Sequence, residues 1–306
     1  MLLKIKAVGI CGTDIHIMNG KLPGSHPPLV LGHEIAGQVV EIGDQVHRLH
    51  TGDRVTVDSV VGCGQCDRCR RGRSQFCVHG FEFGINHDGA CQDYLTVPER
   101  NAYRIPDSIS FEEAAILDIE VWNAVQKCGI EDRDRVLILG AGSIGLIACQ
   151  LTRVLGAGHI TLIDPIQSRL TTAETLGLAD VYLTTSMNGN AHAVSAYDVV
   201  LDCAGTSAST EYALRAVRPC GRVLLYGVHE QVVERLDINQ ITLKDLVVFG
   251  ALSDRVGWMD VIELVASGSL NLKSLITHRF TLEDGAKAYD TVRAREHGLI
   301  KAVLEV

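Results

Sequence analysis

Residues 135–145 read Arg-Val-Leu-Ile-Leu-Gly-Ala-Gly-Ser-Ile-Gly. Val136 to Leu139 are apolar without alternation, the signature of a strand buried on both faces. Gly140-x-Gly142-x-x-Gly145 follows and opens a helix that runs to Leu155. Alone this glycine spacing is a weak signal; set between a strand and a helix it is a strong one for dinucleotide binding. Gly140 makes the tight turn, Gly142 lets the backbone approach a pyrophosphate, and Gly145 allows close helix–strand packing. Ser143 and Ile144 stand in the first helical turn, where free N–H groups and the helix dipole favour phosphates.

Working outward toward the C-terminus, residues 130–250 alternate apolar strands with helices, the pattern of a doubly wound parallel sheet. The strand His159–Ile163 ends at Asp164, 19 residues after Gly145, where an acid that accepts from a ribose is expected. Its charge would oppose the 2′-phosphate of NADP, so NAD is the expected cofactor. Arg169 lies five residues on, beyond Pro165 and Ile166; it is a further candidate at the cofactor, with solvent as its alternative direction. Asp202-Cys203-Ala204-Gly205 ends another strand, so Ala204 and Gly205 should border the cofactor crevice. Leu224–Gly227 and Val248–Leu252 supply two more strands.

Toward the N-terminus the chemistry changes. Cys63, Cys66, Cys69 and Cys77 are separated by two, two and seven residues. Short spacers let consecutive thiolates wrap one tetrahedral ion and the longer loop returns the fourth, giving a closed, structural zinc site. Two disulfides are the competing reading, disfavoured if the compartment is reducing. Arg68, Arg70, Arg71 and Arg73 would offset thiolate charge or simply form a solvated face. Upstream, His33 and Glu34 follow the apolar run Pro28–Leu31. A buried His–Glu pair costs desolvation energy, and a bound metal would offset it, since imidazole and carboxylate are both zinc ligands. Cys11, in the turn-rich stretch Gly9–His16, completes a borderline-soft donor set, and Asp14 can accept from a ligand imidazole.

Together, Gly32-His33-Glu34, Gly37, Gly43 and Val46, the Cys11 segment, the four-cysteine lobe and Gly52-Asp53-Arg54-Val55 closely resemble the zinc-dependent medium-chain alcohol dehydrogenases, over nearly the whole chain. The resemblance implies a GroES-like, mainly-β catalytic domain over 1–123, completed by 269–306, and a Rossmann nucleotide-binding domain over 124–268. It implies two zinc ions, one catalytic and one structural, with Cys11 and His33 as catalytic ligands and Glu34 adjacent or exchanging. The third ligand falls at Asp118, with Glu120 as competitor. Thr13 matches the position whose hydroxyl touches the substrate oxygen, and His16 the position that passes the proton to solvent. Lys301 matches a cationic position near the cofactor, a solvated strand lysine being the alternative. Family members carry further strands before Cys11; here strand 1–10 enters it directly, which implies a shortened start or a differently closed sheet.

The implied activity is hydride transfer from a secondary alcohol (a polyol, sugar or sugar acid) to NAD. An acidic third ligand and Thr277-His278-Arg279-Phe280 resemble the polyol and threonine branches, so threonine 3-dehydrogenase is the alternative enzyme. A catalytically silent member acting as a binding protein is an alternative of another class. A homodimer or homotetramer is implied by resemblance alone. Composition agrees: 306 residues suffice for two cores, and 46% hydrophobic with 21% charged residues is globular. The net charge of −9 argues against nucleic-acid binding, and no apolar run reaches membrane-spanning length. The N-terminus is too short and alternating for a signal peptide, so ten cysteines point to a reducing, cytoplasmic setting.

Overall fold

The computed structural model describes every residue except 118, 185–194, 229–232, 234–235 and 253–255. Asp118 therefore lies outside the described residues. The chain divides into two compact units, Met1–Ile119 with Asp254–Val306, and Glu120–Ser253.

The first unit is built on a sheet with the strand order Ile276–Thr281, Lys301–Glu305, Leu2–Ile10, Glu34–Glu41, Arg54–Val57, Ala102–Arg104; Tyr94–Thr96 also pairs with Leu2–Ile10. The first strand of the chain is thus interior to the sheet, with Glu34–Glu41 on one side and Lys301–Glu305 and Tyr94–Thr96 on the other. Leu3, Ile5 and Val8 point into a core shared with Ile35, Val39, Val55 and Leu304. The register sets Gly9 opposite both Glu34 and Val303. The short helix Phe111–Ala115 begins with a reciprocal cap, as the Ser110…Glu113 spacing predicts. Ser110 Oγ accepts from Glu113 N (3.2 Å), and Glu113 Oε2 accepts from Ser110 N (3.1 Å). Thr56 Oγ1 donates to Ala114 O at 2.8 Å and ties that helix to the sheet. The helix Trp258–Ala266 lies in this unit, and the Trp258 ring stacks on Tyr103, centroids 4.9 Å apart.

The second unit holds a parallel sheet in the order Val181–Leu183, His159–Ile163, Arg135–Leu139, Tyr197–Asp202, Val217–Leu225, Val247–Gly250. In chain order within this sheet that is 3-2-1-4-5-6, the doubly wound dinucleotide-binding arrangement the alternation predicts. Leu137, Leu139, Val200 and Val223 are fully buried, which explains why these strands read as unbroken apolar runs. Among the described residues no helix is long and apolar enough to cross a membrane.

One polar contact closes this unit. The helix Ser207–Ala216 ends with unpaired carbonyls, as every helix does. Lys244 Nζ donates to Leu214 O, Arg215 O and Val217 O at 2.8, 3.0 and 3.1 Å. Burial pushes the Lys244 ammonium pKa below its usual value, yet the three carbonyls accept from it. Lys244→Met is expected to lose about 1.5–3 kcal/mol of stability, the worth of hydrogen bonds to a charged group, read as a lowered urea midpoint with unchanged m.

Candidate metal centres and cofactor site

Cys63, Cys66, Cys69 and Cys77 bring their sulfurs within 4.8 Å of one another. Two sulfur pairs are resolved as contacts: Cys66–Cys77 at 3.8 Å and Cys63–Cys69 at 4.0 Å. Zinc–thiolate bonds of about 2.3 Å in a tetrahedron set sulfurs about 3.8 Å apart, so the four cysteines fit one ion. All four are free thiols, which excludes the disulfide reading. Backbone N–H groups prepare the site. Gln65 N and Cys66 N point at Cys63 Sγ (3.5 and 3.4 Å), and Cys69 N at Cys66 Sγ (3.5 Å). Those two backbone donors hold the Cys63 thiol at about 6, while burial pushes Cys69 up to about 11. Without a cation the four cannot all ionise, because like charges crowd one another. The arginines of the lobe are exposed; Arg71 pairs with Asp67 (3.0 Å), and Arg68 donates to the Phe76 carbonyl.

The second donor group is Cys11, His33 and Glu34, again within 4.8 Å. Three elements meet there. Cys11 precedes the helix Gly12–Met18, His33 ends a loop, and Glu34 begins the strand Glu34–Glu41. Asp14, fully buried, organises two of them: its Oδ2 accepts from Cys11 N (2.9 Å) and its Oδ1 lies 3.2 Å from His33 Nδ1. That contact leaves the other imidazole nitrogen for an ion, the usual outer-carboxylate arrangement of zinc-ligating histidines. Burial opposes the imidazolium, but the Asp14 carboxylate and the Cys11 thiol outweigh it and hold the His33 pKa well above its usual value. Glu34 Oε2 is buried with no hydrogen-bond partner among the described residues, an orphan that a cation would satisfy. Thr13 Oγ1 stands 3.7 Å from Cys11 Sγ, and His16, partly exposed, lies one turn along the same helix.

Lys301 corrects a reading from sequence. It is not a solvated strand lysine: it is 7% exposed, and its Nζ donates to Glu34 Oε1 at 2.5 Å. The cue was Gly9, a glycine inside a strand, which often marks a close approach.

In the second unit the glycine turn sits at the C-terminal end of Arg135–Leu139, and the helix Ser143–Val154 starts from Gly142 with no side chain capping it. The first-turn N–H groups of Ser143, Ile144 and Gly145 are thus offered outward, the feature that fits a pyrophosphate. A Cβ on Gly145 would lie 1.8 Å from Gly140 O, so no other residue permits this turn. The turn of Ala204 and Gly205 comes alongside: Ala204 N is 3.2 Å from where a Gly140 Cβ would stand. Asp202 shapes that turn, accepting from Ala204 N and Gly205 N at 3.1 and 3.2 Å. Asp164 ends the next strand and is 3% exposed. Its oxygens accept from Ala141 N and Ile166 N, both at 2.7 Å. Arg169 does not turn away to solvent; its Nη1 is 3.9 Å from Asp164 Oδ2 and 3.8 Å from a Gly142 Cβ position.

Comparison with known proteins agrees with this geometry. Residues 1–107 match the family model described as alcohol dehydrogenase GroES-like domain, and 143–267 the one described as zinc-binding dehydrogenase. L-threonine 3-dehydrogenase of Pectobacterium carotovorum subsp. carotovorum (strain PC1) is 33% identical over 98% of this chain and 90% of its own. The crystal structure of a zinc-binding dehydrogenase from Sinorhizobium meliloti 1021 bound to NADP superposes with a TM-score of 0.92 at 31% identity, over 100% of this chain and 92% of that one. Galactitol-1-phosphate dehydrogenase from Escherichia coli gives a TM-score of 0.87 at 27% identity, over 100% and 92%.

A closed four-thiolate site should serve stability and not chemistry. Cys66→Ser is expected to lose one zinc per chain and to melt at lower temperature, while the surviving folded protein keeps its turnover; unchanged zinc content by atomic emission would refute this.

Proposed function

The chain belongs to the zinc-dependent medium-chain alcohol dehydrogenase family, and we propose that it oxidises a secondary alcohol of the polyol, sugar or sugar-acid class with NAD. The observation that carries this reading is the Cys11, His33, Glu34 group, three protein donors that leave a coordination position open. When bound, zinc at these donors and a nicotinamide at the Gly140–Gly145 turn supply Lewis acidity and a hydride acceptor.

The protein's own residues do the rest. Asp14 holds the His33 ring and the Cys11 backbone in place, so the donors need not reorganise. Thr13 Oγ1, beside the Cys11 thiol, would accept the proton of the substrate hydroxyl while passing its own hydroxyl proton onward, so that it stays neutral. His16, partly exposed on the same helix, delivers that proton to solvent. Glu34 supplies the third donor; Asp118 is the competing third ligand carried by family resemblance. Uncapped N–H groups at the helix start bind the pyrophosphate, and the Asp164 carboxylate beside them disfavours a 2′-phosphate. The free cysteines suit a reducing, cytoplasmic setting, and the resemblance favours a homodimer or homotetramer.

L-Threonine is the second reading, favoured by the identity to L-threonine 3-dehydrogenase; it too is a secondary alcohol, carrying a carboxylate and an ammonium. NADH formation across polyols, sugar acids and L-threonine separates the two. A polyol or sugar acid is expected to give the highest kcat/KM; a clear maximum at L-threonine would replace the first reading with the second. Activity with no member of the panel would favour a silent family member.

Two variants test the roles. His33→Ala is expected to abolish turnover while NADH still quenches protein fluorescence, because the cofactor turn lies on other residues. Asp164→Asn keeps an acceptor oxygen for the backbone but drops the charge. Its preference for NAD over NADP in kcat/KM should narrow about tenfold or more, equivalent to about 1.4 kcal/mol; an unchanged ratio would remove Asp164 from cofactor choice.

A further inference from the structure

Three neighbouring strands place Lys301, Gly9 and Glu34 together. Gly9 lies between Val303 on one side and Glu34 on the other. Lys301, two residues before Val303, reaches across that row to Glu34 Oε1 at 2.5 Å. The crossing exists because Gly9 has no side chain: a Cβ there would stand 1.9 Å from Glu34 Oε2 and 3.0 Å from Glu34 Cδ. Glu34 is thereby held at one oxygen of its carboxylate only. One oxygen is taken by a buried ammonium, and the other occupies the space over Gly9 and lacks a hydrogen-bond partner among the described residues.

We propose that Lys301 is a positioning residue for the Cys11–His33–Glu34 centre: by binding Glu34 Oε1 over Gly9 it keeps Oε2 available as the third protein donor. The proposal rests on the reading that these three residues hold a metal ion. The physical reason is preorganisation. A buried carboxylate with no fixed partner swings toward whatever cation or water it can find, and turning it back costs free energy when the ion arrives. Lys301 binds Glu34 Oε1, and Oε2 keeps no hydrogen-bond partner among the described residues. Lys301 neutralises the carboxylate in the unloaded state without consuming both oxygens. Electrostatics alone would act the other way, since a nearby ammonium repels a divalent cation. The two accounts give opposite signs, so the metal content of a variant decides between them.

The zinc-loaded protein is dialysed against graded dipicolinate, and zinc per chain is followed by atomic emission. Wild type should hold two zinc ions, one for each donor group. In Lys301→Met the chelator concentration that removes one of them should fall about 10–100-fold, the usual cost of losing an outer partner of a metal ligand. The other ion should stay, reporting that the protein and its four-cysteine lobe remain folded. Lys301→Arg, which keeps a cation for Glu34, should restore most of the loss. Gly9→Ala, which keeps every donor residue but pushes the Glu34 carboxylate out of the space over Gly9, should reproduce it.

Equal or tighter retention in Lys301→Met would overturn the proposal, as would the joint loss of both ions, which would mark Lys301 as merely structural. A wild type that holds only the lobe's zinc would instead overturn the metal reading of Cys11, His33 and Glu34 on which the proposal stands.

Discussion

A carboxylate, a thiol and an imidazole brought together in a protein interior lose hydration that no nearby strand pairing restores. The first unit is arranged around that cost. Its central strand carries Gly9 and leads directly into Cys11; its neighbour on one side begins at Glu34, and its neighbour on the other begins at Lys301. Asp14 and Lys301 then supply one buried opposite charge each, at His33 and at Glu34. The result is a centre whose polar groups are held from outside while the face between the three donors is left unsatisfied. An unsatisfied buried oxygen is a local defect in stability and, in this position, the feature that gives an ion something to gain.

The four-cysteine lobe meets a similar cost by different means. Its sulfurs come from one short stretch, so no distant strand is needed, and backbone N–H groups of the same turns lower the charge cost. Two of those N–H groups hold the Cys63 thiol at about 6, while burial pushes Cys69 up to about 11. The lobe is accordingly self-contained, whereas the Cys11 centre depends on both ends of the chain.

In the second unit, buried acids do another kind of work. Asp164 and Asp202 each end a strand, and each accepts backbone N–H groups of an adjacent turn. They fix the shape of the crevice before any cofactor enters, since a turn already pinned does not lose conformational freedom on binding. Asp164 anchors Ala141 and Ile166, with the Arg169 guanidinium 3.9 Å from its Oδ2.

Much of this was legible in the linear chain because the signals are local. The apolar runs with Gly140-x-Gly142-x-x-Gly145 specify strand, turn and helix within a dozen residues, and the cysteine spacing specifies a lobe within fifteen. The Ser110…Glu113 cap is equally local, and it forms as the spacing predicts. Other features are set by separations no spacing rule reaches. Lys301 meets Glu34 across 267 positions, and its choice between solvent and ion pair depends on which strands flank Leu2–Ile10. Arg169 turns toward Asp164 because strand and helix pack so; its sequence neighbours allow either direction. The sequence by itself therefore determined the donor types, the nucleotide turn and the two-unit plan, since each rests on short-range stereochemistry. Only the tertiary structure decided which buried charge faces which, because that follows from sheet order and from the one glycine that lets a lysine pass across a strand.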